Sequence, residues 1–463
     1  NYNVGVGYAA GLAVTTGVQN TLIGGLAGDA LTLGGNNVSL GYQALTADTQ
    51  GSSSVALGAF ALSTQNSTSE VNMYNTAVGK SAGAAVTTGV QNTLIGGLAG
   101  DAITTGVNNV ALGVGAAGST TTGEANIAIG TSALASNTTG GTNVAVGQDN
   151  LYYNTTASNN TAIGHNAMVA NTTASNNTAV GKSALAANTT GAANVAVGSG
   201  AGYQNITGAG NIAIGLNALY SNTASSLNVA IGTGALDALN IGSGNGYNVA
   251  IGDQAGGSVT TGTHNTFVGG LAGDTCSTGT GNTTLGYSAD LGGGAAVNRI
   301  AIGNQVTVSS NDRITIGAGS DIASLELNGS DTSWAASSDE RLKENVVAST
   351  AGLSFINDLR PVTYNWKKAK DVSSDLPQYI EGSEAPCLGK TYGTQLHGFI
   401  AQEVKSVIDN HPEVKDGQGV WQTDETTVQT LAPAALVPML VKAIQEQQAL
   451  IESLTARIET LEG

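Results

Sequence analysis

A glycine recurs at a spacing of seventeen residues from Gly7 to Gly303, in fifteen of the eighteen intervals between nineteen glycines that end at Gly317. The three exceptions are 21 (Gly58 to Gly79), 20 (Gly232 to Gly252) and 14 (Gly303 to Gly317). Self-similarity at a fixed short period is the signature of stacked repeats, each unable to bury its apolar residues alone. A five-residue unit, Asn-Val/Thr-Ala-Ile/Val-Gly, carries the register, and the residue before each glycine is Val, Ile or Leu in all nineteen copies. Alternation of this kind is strand periodicity.

In the copy Asn143 to Gly147, Val144 and Val146 share one face, and Asn143 shares the other with Ala145. The expected fold is mainly β, a parallel β-solenoid of 17-residue coils over residues 1–317. A Val/Ile/Leu ladder forms its core, and a small Ala column faces outward. Each coil is expected to add a second short extended piece such as Ser183-Ala184-Leu185 and a turn such as Asn188 to Gly191. Coils about 4.8 Å apart make a rod on the order of 90 Å long. The Ala column lets another backbone approach closely, so rods are expected to associate along it, with a trimer preferred over a monomer.

Composition changes sharply beyond residue 330, where all six prolines and all three tryptophans lie. Residues 318–337 read as a connector, including a strand and turn at 322–329 that caps the last coil. Residues 338–463 read as a separate domain. Residues 1–330 carry four basic and thirteen acidic residues, and 331–463 carry eleven and nineteen, so neither part has the footprint of a nucleic-acid binder. No run of eighteen apolar residues argues for membrane insertion. The only cysteines, Cys276 and Cys387, fall in different parts and read as free thiols. His165 and His264 stand alone, and no metal site or cofactor is expected. A start at Asn1 without an initiator Met or signal peptide reads as a fragment lacking its natural N-terminus.

Several motifs in the repeats have plainer readings than the ones they suggest. Gly242 to Gly246 is glycine-rich, but no helix pattern follows it, so it is no phosphate cradle. The acceptor-like Asn-Thr-Thr triplets at Asn137, Asn154, Asn171 and Asn188 recur because the turn recurs. The two longer intervals place insertions within Ser63–Asn75, carrying Tyr74, and within Asp237–Asn248, carrying Tyr247. Loops on a rigid scaffold are recognition positions, which makes Tyr74 and Tyr247 candidate receptor contacts. Tyr152, Tyr153 and Tyr220 are turn-proximal and suited to stacking on sugars. Paired carboxylates of a glycosidase are not evident.

The Asn-Val-Ala-Ile-Gly repeats followed by Ala-Leu resemble the left-handed parallel β-roll of trimeric adhesin heads, over about two thirds of the chain. That resemblance implies the handedness and supports the trimer; the stacking of coils rests on the period itself.

Past the connector, a helix is expected from Leu342 to about Leu359, closed by Pro361, then a strand through Val362, Tyr364 and Trp366. An irregular insertion follows over 371–394, and His397 to Val404 reads as a strand feeding a helix. A heptad covers residues 437–463, with Val437, Ile444, Ile451 and Ile458 at a and Leu440, Gln447, Leu454 and Leu461 at d, which predicts a coiled coil. The heptad alone leaves dimer against trimer open.

Ser338 to Asn345, Leu359 to Trp366, His397 to Val404 and the terminal heptad resemble, in this order, the endosialidase-type intramolecular chaperone, the S74 peptidase family. The resemblance implies a phage tail fibre or tailspike. Its C-terminal domain would trimerise the chain, help the shaft fold, and leave by autoproteolysis in cis. It implies Ser338 as nucleophile and Lys343 as base, with His397 orienting the site and Asp339 and Arg341 holding the local geometry. A serine hydroxyl needs a base to become nucleophilic, and a lysine serves when burial lowers its pKa. Without the resemblance, Ser338-Asp339-Glu340 reads as a helix N-cap with acidic first-turn residues.

The expected protein is thus a homotrimeric host-adhesion fibre of a virion, assembled in the host cytoplasm. Its partners would be a host cell-surface receptor, with a glycan among the candidates, and other virion tail proteins through a missing N-terminal part. No activity on an external substrate is expected. A polysaccharide-degrading tailspike and a bacterial surface trimeric adhesin remain alternatives.

Overall fold

The computed structural model describes residues 2–327, 335–336, 344, 346–374, 376, 378–387, 395–414, 420–423 and 429–462. The chain divides into two compact units, Asn1–Ser337 and Ser338–Gly463.

In the first unit, nineteen short strands run from β1 (Val4–Val6) to β19 (Arg313–Ala318). Each pairs in parallel with the next at equivalent repeat positions, as β9 (Val144–Val146) does with β10 (Thr161–Ile163), setting Ala145 opposite Ala162. This is a parallel β-solenoid of 17-residue coils, as the glycine spacing requires. The ladder ends where β20 (Asp321–Glu326) turns back antiparallel on β19, and the two-residue β21 (Ala335–Ala336) pairs antiparallel with β20. That hairpin is fastened by Arg313 Nε to Glu326 Oε1 at 2.9 Å and by Thr315 Oγ1 to Ser324 Oγ at 2.9 Å. It covers an edge that would otherwise offer unpaired backbone groups.

The grouping of side chains in the strands is as expected, but the faces are reversed. Ala145 and Asn143 are fully buried, whereas Val144 and Val146 are only partly covered and point out of the coil. The Ala column, expected outside as the line of association, is the inside of the coil, so it cannot join rods. The reason lies in the other half of the repeat. Ala184 and Leu185, expected as a strand, are both buried, and consecutive strand residues would point to opposite faces. Instead the segment is a series of turns with Ser183 at φ 58° and Leu185 at φ 50°. Left-handed residues rotate both Ala184 and Leu185 inward, and their bulk leaves room for only the small Ala of the strand opposite. One continuous core of Ala, Leu and a few larger residues runs from Ala44 to Ala296.

Two buried asparagine ladders tie coil to coil. Asn143 Oδ1 accepts the Asn160 backbone N–H at 3.0 Å, and Asn143 Nδ2 donates to the Ala157 carbonyl at 2.9 Å. The same arrangement starts at Asn3 and ends at Arg299, whose N–H donates to Asn282 Oδ1 at 2.9 Å. At Ser54 the ladder lacks its amide, and Gln65 substitutes, donating to Ser54 Oγ at 3.0 Å and accepting from Asn75 Nδ2 at 2.8 Å. In the second ladder Asn154 Nδ2 donates to Asn137 Oδ1 at 2.9 Å and to the Ala157 carbonyl at 3.1 Å. Asn137, Asn154, Asn171 and Asn188 are buried, so these triplets are structural turns, not accessible acceptor sites.

The register glycines have no substitute. Gly164 has φ +134°, and a Cβ there would lie 2.6 Å from the carbonyl oxygen of Gly181 in the next coil. Its neighbours in the column repeat this approach, with 2.5 Å at both Gly130 and Gly181.

In the second unit, the described residues before Ala351 (Glu344 and Val346–Thr350) are exposed and carry no helix. Among the described residues, the helix expected from Leu342 to about Leu359 is confined to α1 (Leu353–Asp358). The β-branched Val346, Val347 and Thr350, with Gly352 after them, oppose helix propagation. β22 (Val362–Tyr364) pairs antiparallel with β23 (Leu396–Gly398), and α2 (Ala401–Asn410) follows. A second hairpin joins β24 (Trp421–Thr423) to β25 (Gln429–Leu431). The last element is α3 (Val437–Glu462). Phe355 is the fully buried centre of the core, with Val404, Ile408, Val414, Val420 and Leu436 around it.

His411 closes this core at the end of α2. Its ring meets Phe355 edge-on, with centroids 5.4 Å apart. Nε2 lies 2.9 Å from Asp358 Oδ2 on α1, and Nδ1 lies 2.8 Å from Glu413 Oε1. Asp358 first, then Glu413, holds the imidazole above its usual pKa.

Two expectations follow for stability. Gly164→Ala should destabilise the first unit by about 2–3 kcal/mol in denaturant unfolding, whereas Gly97→Ala should stay within about 0.5 kcal/mol, because nothing lies within 4 Å of a Cβ there. Equal effects would contradict the stacking argument. Because the His411 pKa is raised on folding, its contribution is complete below pH of about 6.5 and is lost as pH rises through the native value. Melting of the second unit, followed by tryptophan fluorescence, should therefore shift downward from about pH 6 to about pH 8.5. His411→Gln should flatten that slope, and an unchanged slope would refute the assignment.

Candidate functional site

Of the residues singled out for cleavage chemistry, Ser338, Asp339, Arg341 and Lys343 lie outside the described residues. The boundary between the two units falls between Ser337 and Ser338. His397 is described: it is the exposed middle residue of β23, opposite Thr363 of β22. The hairpin opens onto a depression lined by His397, Tyr364, Trp366, Phe399, Gln402 and Thr430 among others. Tyr364 and Trp366 meet edge-on with centroids 5.3 Å apart. By the alternation of the strands His397 shares the exposed face with Thr363, while Tyr364 lies on the opposite face with Leu396, and α2 starts shortly after β23. The expected strand-then-helix order over 397–404 sets up this placement.

α3 carries more than the heptad suggested. Its a and d residues are exposed along its length, with Ile444 at 64% and Ile451 at 52%. On another face, Leu436 and Ala443 are buried and Met439 packs on the Phe355 core. Positions 436, 439 and 443 follow the i, i+3, i+7 spacing of a second apolar stripe. That stripe was legible beside the heptad, since Met439 and Ala443 are apolar residues in between. At its far end Glu446 Oε2 accepts the backbone N–H of Leu353 at 2.7 Å, at the start of α1. Glu446 is thereby held below the usual carboxylate range, first by that N–H and then by Lys442.

On the solenoid, Tyr74 and Tyr247 are exposed, at 56% and 48%. Neither sits at the tip of an insertion. Both occupy the corner just before the buried Asn, at φ 50°, a place filled in other coils by residues such as Asn108 and Asn159. The insertions precede them. Tyr247 Oη receives a hydrogen bond from Asn245 Nδ2 at 2.9 Å, and its ring lies 5.2 Å from that of His264 on the next coil. Tyr203 and Tyr220, one period apart, stack at 5.0 Å with planes 5° apart. Tyr152 and Tyr153 meet edge-on at 4.7 Å. Asp237 follows Tyr220 in the same column, where burial pushes its carboxyl up. A column of equivalent positions thus changes from aromatic to acidic over successive coils.

Among the described residues no group of His, Cys, Asp and Glu is arranged to hold a metal ion, and no helix is long and apolar enough to cross a membrane. No curated protein and no solved structure matches the chain. Residues 338–412 match the family model Peptidase S74, described as the chaperone of endosialidase.

Proposed function

We propose that the chain is a host-adhesion fibre of a phage, of tail-fibre or tailspike type. Its second unit joins three copies, assists folding of the solenoid, and is then removed by self-cleavage next to Ser338. The observation that carries this reading is the family match over 338–412, which begins where the parallel solenoid unit ends.

Physical chemistry gives the arrangement a purpose. Parallel pairing between short strands is non-local, so loop-closure entropy is lost before contacts compensate it, and folding is slow. Chains first joined through α3 meet one another at a high effective concentration. The exposed a and d residues of α3 supply the joining surface, because its other apolar stripe is already occupied by the Phe355 core. Along the solenoid, the outward strand residues, such as Leu112, Ile127 and Ile163, offer a second apolar surface to the same partner copies. This surface takes the role first expected of the Ala column.

Cleavage follows Ser-Lys chemistry. Ser338 Oγ attacks an adjacent peptide carbonyl while Lys343 Nζ takes its proton; the peptide C–N bond breaks as the amine leaves with that proton, and water then hydrolyses the resulting ester, freeing a carboxylate and restoring the Ser338 hydroxyl. His397 orients the site, and Asp339 and Arg341 hold its geometry. The freed solenoid then displays its exposed tyrosines, Tyr74 and Tyr247 among them, to a surface receptor on the host.

Two measurements test this reading. Intact mass should show the wild-type chain cut near residue 338, while Ser338→Ala and Lys343→Ala remain full length; full-length wild type would refute self-cleavage. In the Ser338→Ala background, Ile444→Glu with Ile451→Glu should abolish self-association in light scattering without reducing helical circular dichroism. An unchanged multimer would exclude the α3 seam as the joining surface.

A further inference from the structure

Two tyrosines, fourteen coils apart, each occupy the first position after a register glycine: Tyr42 follows β3 (Val38–Leu40) and Tyr287 follows β17 (Thr283–Leu285). Both take the same pose. The coil before each carries a glycine at the equivalent position, and the ring leans into the space that a side chain there would fill. A Cβ on Gly25 would lie 3.5 Å from Tyr42 Cδ2 and 3.8 Å from its Cε2, and a Cβ on Gly270 would meet Tyr287 at the same two distances. Neither glycine has a positive φ, and other coils place Lys80, Val114 and Thr131 there. Glycine is thus present for space, not for backbone conformation.

The rings are seated without being buried, with Tyr42 52% and Tyr287 54% exposed. A ring laid along a glycine gap has given up rotamers before a ligand arrives, and its open surface presents a π face to weakly positive C–H groups. Around Tyr287 the column is polar. Leu271 N–H donates to the Asp253 carbonyl at 2.9 Å, Ser288 N–H to that of Gly270 at 2.9 Å, and Gln305 N–H to that of Tyr287 at 2.8 Å. Asp253 therefore stands two coils before the ring, across the gap, and Asn304 one coil after it, with Gln254 and Gln305 beside them, all four exposed. At Tyr42 the flank is Phe60, edge-on with centroids 5.5 Å apart.

We propose that Tyr42 and Tyr287 are two equivalent stacking seats for an uncharged saccharide. A pyranose has an apolar C–H face for the ring and a rim of hydroxyls for the carboxylate and amides beside Tyr287. With four basic and thirteen acidic residues over 1–330, the first unit repels an acidic polymer. At about 4.8 Å per coil the seats are about 67 Å apart, so one repeating polysaccharide can engage both and bind more tightly than either seat alone. The use of these seats in attachment rests on the adhesion reading above; the binding itself does not. A third glycine, Gly97, leaves the same gap empty, because the next coil has Val114 in place of a tyrosine.

The test is saturation-transfer NMR on the full-length protein, with glucose, galactose, mannose, N-acetylglucosamine and rhamnose as neutral probes and glucuronic and sialic acids as acidic ones. Ring C–H protons of the neutral sugars should receive saturation. Tyr42→Ala combined with Tyr287→Ala should lower that signal at least about threefold at an unchanged melting temperature, whereas Tyr42→Phe with Tyr287→Phe should keep it. Val114→Tyr, by adding a third seat, should raise the signal by about half. No transfer to any neutral sugar, a signal unchanged in the double alanine variant, or stronger transfer to the acidic sugars would each overturn the proposal. Adhesion to host cells is scored separately: a wild type that takes up neutral sugars but does not adhere refutes the adhesion reading and leaves the seats standing.

Discussion

Everything in the first unit depends on coils meeting at β-sheet spacing with nothing between their corners. Where Gly164 lies against Gly181, a single methyl group would meet a carbonyl oxygen at 2.6 Å. Stacking at that distance removes water from the interior, so each polar group inside must find a protein partner. The asparagine ladders meet most of that demand, with the Asn177 side-chain amide nitrogen an exception that finds no partner. Asn143 bonds both to the coil before and to the coil after, which makes the spacing between coils a hydrogen-bond length. Where Ser54 interrupts the series, a glutamine from the other wall restores it. Insertions are tolerated because they leave the coil after one ladder and re-enter before the next. Their tyrosines accordingly sit at ordinary corners.

This dependence explains which parts of the fold the sequence conveyed. The period and the strand positions are written in Gly147 and in the alternation of Val144, Ala145 and Val146. Alternation states which residues share a face, but not which face is inside. That was decided by the segment opposite, where Ala184 and Leu185 both turn inward through left-handed conformations that ordinary pattern reading assigns to glycine. The helix expected over 342–359 is, among the described residues, confined to Leu353–Asp358 for a related reason. The acidic and basic residues around 340–345 favour a helix, whereas Val346, Val347 and Gly352 oppose one. The Ser338 to Lys343 segment was conveyed as a motif only, since the described residues do not include it, while His397 came out on the strand expected for it.

In the second unit one helix carries two apolar stripes. A single apolar stripe would force α3 to choose between its own domain and other copies. With two stripes, Leu436, Met439 and Ala443 fill the domain core while Ile444 and Ile451 stay exposed. The heptad alone does not convey this, because Leu436, Met439 and Ala443 lie outside its a and d positions. His411 was hidden similarly. Beside Pro412 it reads as part of a turn, yet it connects α1, α2 and the following turn through two carboxylates and an aromatic ring.

The outward row of Val, Ile and Leu on the strands is nearly the same on every coil. A surface that repeats itself has no origin: a neighbouring copy displaced by one coil, about 4.8 Å, would find almost the same groove and ridge. Apolar contact along such a row can hold copies together, yet it cannot state where they should stop sliding. That information must come from features that occur once, and the chain has few: the two longer intervals after Gly58 and Gly232, and the unit that begins at Ser338. Under the assembly proposed above, the second unit would supply an endpoint as well as a joining surface, fixing a phase that the repeating rod cannot define for itself.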